Sequence, residues 1–196
     1  MFRRSYSSYP ASQMTAIWVL LAVNFMVFVA TFIAPEGLYL LGLRPALLAS
    51  RPWTIISSMF AHASLWHLIG NMITLFFFGS YLLRLVGEVR FLIVYFVGGL
   101  VGNALFILLA NPLSIAVGAS GAVFALGGAL AVMRPKLKIM IFPLPIPMNL
   151  WIAVIGGFLL ISFMPGVGWQ AHLGGLLVGL ISGYIFRRKE RATVWR

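Results

Sequence analysis

The chain has 196 residues, 62% of them hydrophobic and only 9% charged, with a formal net charge of +11. Soluble domains carry about a quarter charged residues and about half apolar ones, so this composition excludes the soluble class and leaves room for one membrane-embedded domain. Cysteine is absent, which excludes disulfides and thiolate metal sites, and aspartate is absent too, leaving Glu36, Glu88 and Glu190 as the acids.

A helical span needs about 20 apolar residues. Residues 1–13, with Arg3 and Arg4, read as a short cytoplasmic N-terminal segment. A first span follows at about 14–34, and no small-residue cleavage pattern closes it, so a retained span is expected rather than a secretory signal. Segment 35–61 is the longest connection and is rich in leucine (Leu38, Leu40, Leu41, Leu43, Leu47, Leu48). It is expected to lie along the membrane surface as an amphipathic first loop. The uncharged stretch from Pro52 to Leu83 is too long for one helix, so Pro52 and Trp53 are assigned to the end of that loop and a second span to about 64–83.

A third span is expected at about 91–110 and a fourth at about 116–133. Pro143-Leu144-Pro145-Ile146-Pro147 reads as a turn-forming break, because proline lacks an amide donor and fixes its own φ. Spans at about 148–164 and 168–186 complete the set, and 187–196 form a basic cytoplasmic tail. The expected fold is all-α: a six-transmembrane-helix bundle over 14–186 with an amphipathic interfacial first loop.

Six spans put both termini on one side. Taking that side as cytoplasmic, Arg3, Arg4, Arg84, Arg90, Arg134, Lys136, Lys138, Arg187, Arg188, Lys189, Arg191 and Arg196 fall inside, and Arg44 and Arg51 outside. Twelve against two is a strong positive-inside bias. These clusters act as topology signals, so no nucleic-acid partner is expected; the lipid bilayer is the expected surrounding.

Polar groups in hydrocarbon are costly unless paired, which makes them candidates for function. The spans hold His67 and Asn71 in the second, Asn103 in the third, Ser120 in the fourth and His172 in the sixth, with His62 just before the second. Spans two, four and six all enter from the outer face, and His67, Asn71, Ser120 and His172 lie roughly 5–10 Å along them. His67 and Asn71 share a face, being four apart. Gly175, Gly179 and Gly183 form a small-xxx-small stripe three residues beyond His172, and Gly127 and Gly128 lie seven and eight beyond Ser120. Close approach of those two helices brings the serine oxygen within reach of the imidazole, as a serine nucleophile requires. The plainer alternatives are a serine bonded to its own helix, interfacial histidines and packing glycines.

Three blocks carry a resemblance: Gly118-Ala119-Ser120-Gly121, Ala171-His172-Leu173-Gly174-Gly175, and His62-Ala63-Ser64-Leu65-Trp66-His67-Leu68-Ile69-Gly70-Asn71-Met72. With Trp53 in the first loop, the chain from about 50 to 184 resembles the rhomboid family of intramembrane serine proteases. The resemblance implies Ser120 as nucleophile and His172 as general base. It implies His67, Asn71 and the Ser120 amide as oxyanion donors, with Phe124 packed on the catalytic histidine; Gly118, Gly175 and Gly179 would support the site. It also implies a transmembrane protein as substrate, no cofactor and no metal, and a home in a prokaryotic plasma membrane. Oligomeric state is left open.

Two positions depart from the family pattern. Thr54 rather than Arg follows Trp53, and Leu83 stands where a Glu is common. Both bear on hydrogen bonds of the loop and inner end rather than on the reacting groups. A silent relative that binds and escorts spans, a transporter, and metal-dependent hydrolysis through His62, His67 and His172 are the competing readings. Gly156-Gly157 and the loop Met164-Pro165-Gly166-Val167-Gly168 are candidate gate elements, with simple packing as the plainer role.

Overall fold

The computed structural model describes residues 14–141, 144–162 and 164–194. The expected N-terminal segment 1–13, with Arg3 and Arg4, lies outside the described residues, as do Pro143 and Arg196.

The chain is predominantly helical. Helix α1 (Thr15–Ile33) is followed by a first loop containing two short helices, α2 (Glu36–Leu41) and α3 (Thr54–Ser57). A second long helical run begins as α4 (Leu65–Thr74), passes through a π-helical turn at Leu75–Gly79 and ends as α5 (Ser80–Val86). Gly87, at φ 85°, reverses the chain into α6 (Glu88–Leu109). Then come α7 (Ser120–Met133), strands β1 (Lys138–Ile141) and β2 (Leu144–Asn149), α8 (Leu150–Ser162) and α9 (Trp169–Val194).

Four of these runs, Thr15–Ile33, Leu65–Val86, Glu88–Leu109 and Trp169–Glu190, are long and apolar enough to cross a membrane; α7 and α8 are shorter apolar helices. Large side chains such as Phe32 (76% exposed) and Leu108 (74% exposed) point away from the bundle. Water would penalise such an outer surface, whereas lipid matches it.

Helix α7 lies at the centre. Its seven glycines and alanines let α6 and α9 approach at backbone distance, and eleven of its 14 residues are buried. The helices are so close that a Cβ on Gly175 would overlap the Gly121 carbonyl; one on Gly179 or Gly183 would meet the Ala125 or Ala129 carbonyl. Close backbone approach of this kind is how helices associate where no hydrophobic effect separates side chain from lipid.

Two sequence expectations are corrected. The fourth helix starts at Ser120, not near 116, because Ala116 pairs with Leu43 in an isolated antiparallel bridge and Gly118 takes φ 120°. The proline-rich stretch is not a plain break: Leu144–Asn149 pairs antiparallel with Lys138–Ile141 in a two-stranded sheet. Prolines are tolerated there because an edge strand leaves some amides unpaired. The first loop is held together by its own hydrogen bonds. Trp53 Nε1 donates to the Leu40 carbonyl (3.0 Å), Arg51 Nη1 to Tyr39 (2.9 Å) and Ser57 Oγ to Leu41 (2.8 Å), folding the loop back on α2, with Leu43 fully buried. Helix α9 runs on to Val194, and Arg134 at the end of α7 pairs in bidentate fashion with Glu190.

Candidate functional site

Three helix starts converge. Ser64, the N-cap of α4, accepts a hydrogen bond from the His67 amide at 3.2 Å, which sets His67 in the first turn. Ser120 is the first residue of α7, and His172 lies in the first turn of α9. At the helix start the backbone N–H groups have no partner within the helix, and the dipole favours negative charge there.

His172 Nε2 lies 2.7 Å from Ser120 Oγ. The hydroxyl donates to that nitrogen when the ring proton sits on Nδ1, and Nδ1 is buried with no protein partner among the described residues. Hence no acidic side chain orients this imidazole. Packing does so instead: the Phe124 ring lies 4.7 Å from the His172 ring, centroid to centroid, and Phe158 of α8 stands edge-on to Phe124 at 5.9 Å. Gly102 and Gly121 let the Ala171 carbonyl, next to His172, come close to α6 and α7.

His67 reaches the same point from α4. A Cβ on Gly118 would lie 2.6 Å from its Cε1, 2.8 Å from its Nε2 and 3.7 Å from Ser120 Oγ. The ring edge of His67 therefore covers Gly118 beside the serine, and no side chain at 118 fits between them. Asn71, one turn deeper and buried, donates from Nδ2 to the His67 carbonyl at 2.9 Å; an amide nitrogen carries two hydrogens, so one remains. His62 is buried just outside α4, with its ring 5.0 Å from that of His67. Its Nδ1–H donates to the Phe60 carbonyl at 3.2 Å, and burial, with the neighbouring His67 second, pushes its pKa down to about 4.

Ser120, His172, His67, Phe124 and Gly118 thus meet. Gly175 and Gly179 serve the α7–α9 contact behind them, whereas Asn71 is engaged with its own helix. Gly128 also faces α9, at the Gly179 backbone, while Gly127 turns to Phe78 and Val154. Sequence reading missed the third helix of the seam. Gly98 packs on Ala125, and Gly102 and Gly174 bring α6 and α9 together; Gly98 and Gly102 are four apart, a spacing that could have been read.

A part-buried serine–histidine pair at converging helix starts, in a chain with four helical runs long and apolar enough to span a bilayer, defines a class: integral membrane proteins with a polar centre among their helices. The Rhomboid domain model matches residues 49–189, and the chain belongs to the rhomboid family. It is 30% identical over 149 residues to the mitochondrial Rhomboid protein 1 of Saccharomyces cerevisiae, covering 70% of this chain and 43% of that protein. Against RHOMBOID-like protein 2 of Arabidopsis thaliana the identity is 35% over 133 residues, or 68% and 42% of the two chains. Against the rhomboid protease GlpG of Haemophilus influenzae it is 33% over 138 residues, or 69% and 70%. The chain thus spans less than half of the yeast and plant relatives and a larger share of the bacterial one.

Proposed function

We propose that this protein is an intramembrane serine endopeptidase, with Ser120 as nucleophile and His172 as its general base. The observation that carries the reading is the 2.7 Å contact between His172 Nε2 and Ser120 Oγ among apolar helices. Membership of a family with relatives named as proteases supports it.

The chemistry follows from that contact. Neutral His172 takes the hydroxyl proton at Nε2 as Ser120 Oγ bonds to the carbonyl carbon of a peptide. The carbonyl oxygen becomes negative in a low-dielectric site, where fixed donors act most strongly. The Ser120 amide, His67 and the remaining Asn71 N–H are the proposed donors. His172 returns the proton to the departing nitrogen, leaving an ester on Ser120. Water then attacks that ester, losing its proton to His172, and Ser120 Oγ leaves with the proton restored.

Within this reading the six helical runs are six spans over 14–186, with the site near the outer face and both termini cytoplasmic in a prokaryotic plasma membrane. The distribution of Arg and Lys supports that orientation. The proposed substrate is a membrane protein cut in or near a transmembrane segment.

The test uses purified protein with a fluorophosphonate probe and a single-span reporter. Ser120→Ala should abolish both labelling and cleavage, and His172→Ala should lower cleavage by about 10³-fold or more. His67→Ala and Asn71→Ala should each cost about 10²–10³-fold in kcat. Cleavage that persists in Ser120→Ala overturns the proposal, and activity lost to a chelator points to a metal instead.

A further inference from the structure

Asn103 is a buried polar residue of α6 to which the chemistry above gives no role. It has a structural connection to the nucleophile. Its Nδ2 donates to the Ile55 carbonyl at 2.7 Å and to Ser58 Oγ at 3.0 Å. The Ser58 carbonyl in turn accepts the Gly118 amide at 2.8 Å. Ser58 is itself buried, as is Thr54 on the same turn, whose hydroxyl donates to the Arg51 carbonyl at 2.7 Å. The amide of one helix thus holds the end of the first loop, and the end of that loop holds the residue two before Ser120.

Gly118 is where such a hold matters. Its φ of 120° lies in a region that glycine alone tolerates well, and its Cα faces the His67 ring. A backbone in an uncommon conformation persists when its surroundings over-determine it. The surroundings here are the Ser58 carbonyl on the Gly118 amide and, two residues earlier, the paired hydrogen bonds between Leu43 and Ala116 at 2.9 and 2.8 Å. The Leu43–Ala116 pair fixes the strand-like approach, and the Ser58 bond fixes the turn into the helix. Only the second is governed by a side chain from another helix.

We propose that Asn103 is a positioning residue for the nucleophile: by clamping Ile55 and Ser58, it fixes the Gly118 peptide and so sets the placement of Ser120 against His172. This rests on the hydrolase reading of the Ser120–His172 pair. Removing the amide leaves the Ile55 carbonyl and the Ser58 hydroxyl without their donor and releases the Ser58 carbonyl to shift. Gly118 then relaxes toward a commoner conformation, and the serine moves off the line to its base. Displacements of about 1 Å are enough to cost about 10²-fold in rate.

The experiment compares wild type with Asn103→Leu, which matches the side chain in size and removes both bonds, and with Asn103→Gln, which keeps a donor one methylene further out. Cleavage of a single-span reporter is measured alongside exchange of the Gly118 amide in protein labelled with ¹⁵N-glycine. In Asn103→Leu, kcat should fall by about 10- to 100-fold with KM within about twofold, and Gly118 exchange should accelerate by about tenfold or more. Asn103→Gln should recover part of both. If Asn103→Leu does not fold, Ser58→Ala removes only the hydroxyl acceptor and should lower kcat by about two- to fivefold with the same signature. An unchanged kcat, or an unchanged Gly118 exchange rate, overturns the proposal, since a merely stabilising asparagine lowers the amount of folded protein and not its turnover. Were wild type inert toward reporter and fluorophosphonate, the protease reading would fall, and the Gly118 exchange rates alone would decide whether Asn103 holds the turn.

Discussion

Helices α7 and α8 are of nearly equal length, 14 and 13 residues, and both are apolar around their whole circumference, yet they occupy opposite environments. Eleven residues of α7 are buried against three of α8. Both carry an adjacent glycine pair. In α7, Gly128 meets the α9 backbone and Gly127 meets Phe78 and Val154; in α8, a Cβ on Gly156 or Gly157 would meet nothing within 4 Å. Glycine in an apolar helix therefore marks close packing only when a partner backbone is there to receive it. The bulky Trp151, Leu159 and Leu160 of α8 face outward, and its contact with the site runs through Phe158 on Phe124.

The largest effect that would break this comparison is expected from Gly175→Val. Two helix backbones must separate to admit the side chain, and the Ser120–His172 contact one turn away opens with them. Loss of folded protein in detergent, or of all fluorophosphonate labelling in what remains, is the expected result. Gly156→Ala should leave the thermal midpoint close to wild type; a large loss there would show that a partner packs on that face of α8. Next in size, Leu126→Ala in α7 removes a fully buried side chain and should cost about 2–5 kcal/mol, while Leu160→Ala in α8, 73% exposed, should stay within about 0.5 kcal/mol. Unfolding titrations in mixed micelles would read both.

Acid should act on the site end. The folded His62 pKa lies near 4 against an ordinary 6.5, so between those values the unfolded chain binds more protons. The stability linked to His62 is complete above pH 6.5 and is lost as pH falls toward and through 4. His62→Asn keeps a donor for the Phe60 carbonyl and should flatten that slope in melting curves. The smallest effect is expected at the opposite end. Arg134 and Glu190 are partly exposed, at 28% and 46%, so Glu190→Gln should cost about 0–1 kcal/mol, less at high salt.

Much of this was readable in the sequence, for definite reasons. Long apolar runs delimit helices whatever their partners, and the chain is predominantly helical with four runs long and apolar enough to cross a membrane. His67, Ser120 and His172 stood out because a polar side chain in such a run needs a reason to be there. What stayed hidden depends on partners far along the chain. The fourth helix starts late because Leu43 pairs with Ala116, and no local signal at 116 discloses that pairing. Lys138–Ile141 pairs antiparallel with Leu144–Asn149 although the prolines there read as a break. Asn71 is bound to its own helix, a detail of rotamer rather than pattern. The α6 stripe of Gly98 and Gly102 was readable but could not be assigned to a partner, because an all-apolar helix has no polar face to show which side is inward.

The serine and the histidine lie 52 residues apart in the chain, on helices with α8 between them. A nascent chain therefore carries its serine through membrane insertion with no base beside it. The proposed chemistry becomes available only when the last long helix has docked along the glycine seam, so completion of the fold and onset of reactivity are the same event. A protein able to cut membrane segments would in this way be harmless to neighbouring chains, and to itself, until its own assembly is finished.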